Sequence, residues 1–204
     1  MKVVLLILPL LTASYAAHKG QMIVSPMSPN MAQLKMEIPK ATWEPIFFRL
    51  INKRAKVAKL NDLRSTEFAN NNDLEIRVWM GFGITTLKGY VIKRDGGQWS
   101  ALKIPGIRPQ DPRSRVNVSL TPKSGWEQLW NSLQSEGILT LPDSSQLPGG
   151  EYFTDGISYV VEINMNKSYR TYMYGSPEIQ PQPEARRMTR IAQILNDEFA
   201  TDSH

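Results

Sequence analysis

The segment from Leu74 to Met80 alternates strictly between two kinds of side chain, and this alternation most constrains the fold. Its apolar members are Leu74, Ile76, Val78 and Met80, and Glu75, Arg77 and Trp79 lie between them. Successive side chains of a strand point to opposite faces, so a period of two indicates a strand with one face against a core. The chain must therefore build a sheet, and we predict that Gly81 ends this first strand.

Turn residues divide the following sequence into further strands. We predict strands over Thr85 to Lys93 and Gln98 to Ile104, joined by Asp95-Gly96-Gly97, whose residues tolerate the positive φ of a tight hairpin. Val116 to Leu120 is a candidate for a short fourth strand. Ser158 to Asn164 and Tyr169 to Tyr174 form a second predicted hairpin. If Asn164 pairs with Ser168, Glu162 lies opposite Arg170 as a cross-strand ion pair.

Helix-spaced apolar residues predict three helices, over Trp43 to Leu60, after Ser124, and over Pro183 to Phe199. Ser124 and Glu127 match a capping box, and Gly137 is the expected stop. The stripe of that helix assigns Trp126 and Trp130 to the core. Strands and helices do not alternate strictly, so we predict an α+β fold: an antiparallel sheet of five or six strands with two or three helices packed on one face.

The first 42 residues differ in character from the rest. Lys2, an apolar run and a small-residue exit ending at Ala16 are typical of a signal peptide over residues 1–16. We therefore expect an exported protein, periplasmic or secreted, with no transmembrane segment. We predict that residues 17–42 form a poorly ordered N-terminal arm and that residues 43–200 form a single α+β domain. Because the chain has no cysteine, that domain must depend on its hydrophobic core.

Positive charge is concentrated in residues 49–64, which hold six basic residues and one acidic residue. A solvated helix face is the more common explanation of such a segment, and contact with anionic lipid or a polyanionic cell wall is the alternative. Export argues against nucleic acid as a partner, and none is expected.

Several sequence blocks are similar to those of a known group. They are LEIRVWMGFG at 74–83, SGWEQLW at 124–130, GILTLPD at 137–143, DGISYVVE at 155–162 and YRTY at 169–172. Over about residues 64–199 the chain resembles a group of uncharacterised exported bacterial proteins. The resemblance implies a bacterial source, and it brings no activity or site residue with it.

The amino-acid composition excludes several classes of catalytic site. Histidine occurs only at His18 and His204 and cysteine not at all, so the folded part lacks Ser-His-Asp or Cys-His centres and His- or Cys-ligated metals. We expect neither a metal nor a cofactor. The remaining candidates are the carboxylates Asp143, Asp155 and Glu162, and a Lys123–Ser124 pair. Each has a structural alternative: local turn hydrogen bonds for the two aspartates, the Arg170 pair for Glu162, and helix capping for Ser124.

The candidate ligand-binding residues are those expected on the polar side of the sheet: Arg77, Trp79, Glu162, Arg170, Tyr172 and Tyr174. Exposed aromatics beside arginine can bind a glycan, a peptide or another protein. If that side is solvated, Arg170→Ala is expected to cost about 0–1 kcal/mol. Two functions follow as hypotheses, a non-catalytic binding or interaction module of the bacterial envelope and, alternatively, a carboxylate-dependent hydrolase acting on cell-wall glycan.

Overall fold

The computed structural model describes residues 37–40, 43–64, 73–82, 85–106, 117–149, 156–166 and 168–200. Three α-helices occur in these ranges: α1 (Glu44–Val57), α2 (Trp126–Ser135) and α3 (Pro183–Glu198). The strands are β1 (Leu74–Gly81), β2 (Lys88–Asp95), β3 (Gln98–Ile104), β4 (Val118–Leu120), β5 (Ser158–Met165) and β6 (Ser168–Gly175). They form one antiparallel sheet in the order β4-β3-β2-β1-β5-β6. The α+β prediction is confirmed.

One face of the sheet, which we call the α2/α3 face, packs against the last two helices. It carries the apolar residues Ile76 and Val78 of β1, both fully buried. Tyr90 of β2 joins it to α3, since its hydroxyl donates to Asn196 Oδ1 at 3.0 Å and its ring lies 5.6 Å from that of Phe199. This arrangement agrees with the expectation of helices packed on one face.

Helix α1 departs from that expectation because it covers the opposite face. Its buried residues Phe48, Ile51 and Ala55 share a core with Trp79 and Val91, and with Ile104, Val160, Tyr169 and Met173 from other strands. We call this side the α1 face. With helices on both sides, every residue of β1 is buried, so the polar side predicted to face solvent lies inside the protein.

The loop between β5 and β6 is one residue shorter than predicted, and this shifts the register of the hairpin by one residue. Met165 pairs with Ser168, so Glu162 lies opposite Thr171 and Arg170 lies opposite Ile163. Asn166 adopts a φ of 49°, a conformation that asparagine tolerates better than most residues and that suits a two-residue loop. The predicted Glu162–Arg170 pair is wrong, because a slip of one residue moves a side chain to the other face.

The capping predictions are partly wrong. Gly125, with a φ of 89°, is the N-cap of α2, while the Ser124 amide donates to Glu198 Oε2 at 2.9 Å. A capping box does form elsewhere, between Asp143 and Gln146 at the short 3-10 turn Ser144–Gln146. Gly137 follows α2 with a φ of 77°, which confirms the predicted stop.

Residues 37–40 belong to the predicted arm, and Glu37 forms a parallel bridge with edge strand β6. Its amide donates to the Tyr169 carbonyl at 2.9 Å, and the Thr171 amide donates to its carbonyl at 3.1 Å. The predicted signal peptide and the rest of the arm lie outside the described residues. Among the helices in the described ranges, none has the length and apolar character required to cross a membrane.

Candidate functional site

All six predicted ligand-binding residues are placed inside the protein. Trp79 is 1% exposed and Arg170 is 6% exposed. The register also divides the group, since Arg77, Trp79 and Glu162 lie on the α1 face and Arg170, Tyr172 and Tyr174 on the α2/α3 face. The prediction of one exposed polar-aromatic surface is therefore wrong.

Arg170, Tyr172 and Tyr174 hold the segment after α2 against β6. The Arg170 guanidinium donates to the carbonyls of Leu139 and Leu141 and pairs with Glu37 Oε2 at 3.2 Å. The tyrosine hydroxyls donate to the carbonyls of residues 138 and 142, both at 2.8 Å. Burial raises the pKa of both tyrosines. These contacts stabilise the fold and leave these side chains without the exposed surface that ligand binding requires.

A polar cluster lies beneath α1, centred on Glu162 of β5. Glu162 Oε2 accepts from Trp79 Nε1 at 2.7 Å, and Oε1 accepts from the Tyr169 hydroxyl at 2.9 Å. On the neighbouring strand, Arg77 Nε donates to Glu75 Oε1 at 2.7 Å, and Lys93 Nζ lies 3.0 Å from Glu75 Oε2. The cluster satisfies both carboxylates, as buried charge requires.

The same cluster positions the chain segment that follows α1. Arg77 NH2 donates to the Asn61 carbonyl at 2.8 Å, and Asn164 Nδ2 donates to the Leu63 carbonyl at 2.8 Å. Between these two anchors, Asp62 accepts hydrogen bonds from the Arg64 side chain and amide. The sheet therefore fixes residues 61–63 beside the C-terminal half of α1.

A cleft of about 420 Å³ opens between α1, this segment and the sheet, and we call it the basic cleft. Buried Arg77 and Glu162 form its floor, and its exposed rim includes Lys56 and Lys59. Its remaining lining residues are Ile51, Asn52, Ala55, Leu60, Asn61 and Asp62. The cleft thus combines positive charge with amide groups above a buried carboxyl.

The pKa values of the two carboxyl groups in the basic cleft are shifted in opposite directions. Burial raises the pKa of Glu162, although Arg77 and the hydrogen bonds from Trp79 and Tyr169 oppose that shift. Burial also acts to raise the pKa of Asp62, but the hydrogen bonds and charge of Arg64 outweigh it and lower the pKa. Glu162 is consequently the carboxyl that protonates more readily.

Lys59 has an unusual backbone conformation at the rim. Its φ is 55°, in the left-handed region normally filled by glycine after a helix. The Leu60 amide donates to the Ala55 carbonyl at 2.9 Å and the Lys59 amide to the Lys56 carbonyl at 3.1 Å, which together form a Schellman motif. A lysine here costs about 1–2 kcal/mol relative to an unstrained residue, yet it places an ammonium group beside the cleft.

The carboxylates proposed from the sequence do not form one site. Asp143 caps the 3-10 turn and accepts from the Met173 amide at 2.8 Å, whereas Glu162 lies beneath α1. Asp155 lies outside the described residues. In the described ranges, no group of three or more His, Cys, Asp and Glu side chains could hold a metal ion.

Partly exposed tryptophans occur at a place that the sequence reasoning missed. Trp99 of β3 stacks on Trp126 with a centroid distance of 6.1 Å, and Trp130 lies 5.3 Å from Trp99. All three are half-buried, so the assignment of Trp126 and Trp130 to the core holds only in part. Contacts among the three rings explain why they lie together, so their position does not indicate a ligand-binding role.

Comparison with known proteins adds no constraint. No protein-family model matches the chain, and no curated protein or solved structure is significantly similar to it.

Proposed function

We propose that this protein is an exported, non-catalytic binding module of the bacterial envelope, and that an anionic glycan binds in the basic cleft. The leader-like residues 1–16 and the resemblance to exported bacterial proteins support the location. The observation that carries the ligand assignment is the position of two exposed lysines, Lys56 and Lys59, on the rim of the basic cleft.

The charge distribution favours an anionic ligand. Asp62 is already engaged by Arg64 at 3.0 Å, so it does not neutralise the lysines. At the floor, the Glu162 carboxyl accepts hydrogen bonds from Trp79 and Tyr169, which leaves the exposed charge of the cleft to its rim. The positive charge of the two exposed rim lysines therefore attracts an anionic ligand.

The neutral polar groups favour a glycan. Asn52 and Asn61 line the cleft together with the half-buried Leu60. Side-chain amides both donate hydrogen bonds to hydroxyl groups and accept them, although Asn52 Oδ1 already accepts from Arg64 at 2.6 Å. A phosphate or carboxylate substituent on the glycan would meet the lysines.

The test uses purified envelope glycan bearing phosphate or uronate groups. We expect Lys56→Gln to weaken binding about five- to tenfold, whereas Lys88→Gln, an equal charge change at an exposed site on β2, leaves it unchanged. Binding should also weaken with added salt, because exposed charges are screened. Equal loss in both variants would assign the attraction to net charge and contradict the proposal.

One observation favours a second function, a carboxylate-dependent hydrolase acting on cell-wall glycan. Glu162 and Asp62 both line the basic cleft and their pKa values are shifted apart, as in acid and base pairs. Against it, both Glu162 oxygens already accept hydrogen bonds from Trp79 and Tyr169. Release of glycan fragments by the parent protein but not by Glu162→Gln would establish this function in place of simple binding.

A further inference from the structure

The side of α1 that is turned away from the sheet carries two parallel rows of exposed side chains. The apolar row consists of Ile46, Leu50 and Val57. The basic row consists of Arg49, Lys53 and Lys56. Within each row the positions are three, four or seven residues apart, a spacing that places side chains on the same side of a helix. We call the two rows together the outer surface of α1.

The apolar row is a concentration of exposed apolar surface. In the described ranges six large apolar side chains are exposed, and three of them form this row. Ile46 is 51% exposed and Val57 is 43% exposed, so the row reaches both ends of the helix. Single exposed apolar residues need no explanation, but neighbouring ones are typical of an interaction surface.

The basic row lies beside it without opposing charge. The only acidic residue of α1 is Glu44, in the first turn. In the described part of the chain, no ion pair is formed by Arg49, Lys53 or Lys56. Three exposed positive charges along one side of a helix favour a negatively charged partner.

The two rows together decide between classes of partner. A glycan or another polyanion would contact the basic row and leave the apolar row in water. The surface of an anionic bilayer offers phosphate groups to the basic row and hydrocarbon to the apolar row. The apolar row runs for about 16 Å along a convex helix surface, at about 1.5 Å per residue, which suits an extended flat partner.

We propose that the outer surface of α1 docks on an anionic phospholipid bilayer, with the helix parallel to the membrane plane. The apolar row enters the boundary between head groups and acyl chains, and the basic row contacts lipid phosphates. This surface is separate from the proposed glycan site, because Arg49 and Lys53 do not line the basic cleft and Lys56 alone belongs to both.

The experiment sediments the full-length protein with vesicles. One set is an equimolar mixture of phosphatidylglycerol and phosphatidylcholine, and the other is phosphatidylcholine alone. We expect at least about tenfold tighter binding to the mixed vesicles, because each basic side chain near an anionic surface contributes about fivefold. Added salt should weaken this binding.

Two matched pairs of variants assign the binding to the outer surface of α1. Ile46→Gln should weaken it several-fold, because apolar surface no longer enters the bilayer, whereas Ile179→Gln makes the same change at a 67% exposed site before α3 and should leave it unchanged. Arg49→Gln should weaken it about fivefold, and Arg187→Gln, an equal charge change at an exposed site on α3, should not. Binding through residues 1–16 would be the same in all four.

A fluorescent label measures insertion directly. Because the chain has no cysteine, Val57→Cys provides a single attachment point for a polarity-sensitive dye, and Ile179→Cys provides the control. On mixed vesicles the dye at position 57 should brighten and shift its emission to the blue, and the dye at 179 should not.

The proposal is overturned if the two labels respond alike, or if either α1 variant binds as tightly as its control. Absence of binding to the mixed vesicles would also overturn it, and would leave the outer surface of α1 for a protein partner.

Discussion

Arg170 and Arg54 are both buried, one on each side of the sheet, but their surroundings differ. Arg170 donates to two backbone carbonyls and pairs with Glu37, so each of its nitrogens has a partner. Arg54 has one carbonyl partner, and its other two nitrogens are buried with no partner among the described residues. A saturated buried charge such as that of Arg170 holds the fold together, whereas the buried charge of Arg54 is only partly satisfied by the described residues.

The same substitution at both arginines tests this difference, and the larger effect is expected at Arg170. Arg170→Met leaves two buried carbonyls and Glu37 without their donor, and each orphaned buried acceptor costs about 1–3 kcal/mol. We expect a loss of roughly 3 kcal/mol or more in the free energy of unfolding, measured in denaturant. The sequence-based expectation of about 0–1 kcal/mol for Arg170→Ala depended on an exposed pair, and the burial of Arg170 contradicts it.

Arg187→Ala is the control, since Arg187 is an exposed position on α3 and its loss should stay within about 0.5 kcal/mol. A loss below 1 kcal/mol in Arg170→Met would show that the three contacts of Arg170 contribute little.

The register of one hairpin decided which parts of the candidate site could be predicted. β3 was predicted with its observed bounds, because Gly96 and Gly97 mark the turn before it unambiguously. In β5 and β6 nearly every residue is buried on both faces, so the apolar alternation that defines a register is weak. Asn166, which tolerates positive φ, was the local signal for the shorter loop.

The basic cleft could not be predicted from the sequence, although several of its residues were identified as candidates. Residues 49–64 were recognised as basic, and Arg77 and Glu162 as candidate ligand-binding residues. What brings Lys56 near Glu162 is the docking of α1 on the sheet, through contacts such as those of Ile51 and Trp79. Contacts so far apart in sequence leave no periodic pattern. That Arg54 Nε and NH1 have no partner among the described residues is likewise a result of tertiary packing alone.

The pH dependence of the free energy of unfolding tests whether burial raises the pKa of Glu162 in the polar cluster. Because the pKa of Glu162 is raised on folding, the unfolded chain releases this proton first as the pH rises above about 4.3. The contribution of Glu162 to the free energy of unfolding therefore falls with rising pH, by at most about 1.4 kcal/mol per pH unit, until its folded-state pKa is passed. Glu162→Gln lacks this loss, so its stability relative to the parent should rise across that window.

Denaturant unfolding of both proteins from pH 4 to pH 8 measures the difference, in which the titration of other carboxyl groups cancels. The charged or titratable neighbours of Glu162 are Arg77, Arg64 and Tyr169. A difference that falls with rising pH would mean that their attraction outweighs burial.

Replacing Lys59 tests whether the rim of the basic cleft keeps a strained lysine that lowers the free energy of unfolding. Glycine at this position removes the strain of a φ of 55°, so Lys59→Gly should raise the free energy of unfolding by about 1 kcal/mol. The same variant should weaken glycan binding several-fold, because one rim ammonium is lost. Lys56→Gln, in an ordinary helical conformation, should weaken binding without raising stability. A Lys59→Gly protein that binds glycan as the parent does would remove Lys59 from the site.

The smallest effect is expected at Arg54, and it completes the comparison with Arg170. Arg54→Met leaves the Pro105 carbonyl without its donor, but it also removes a guanidinium whose Nε and NH1 have no partner among the described residues. Methionine fills similar space beside Leu50 and Val57, and replacing a poorly paired buried charge with an apolar side chain is often neutral or stabilising. We therefore expect the free energy of unfolding to change by less than about 1 kcal/mol. A loss comparable to that of Arg170→Met would instead make Arg54 a structural residue of the same kind as Arg170.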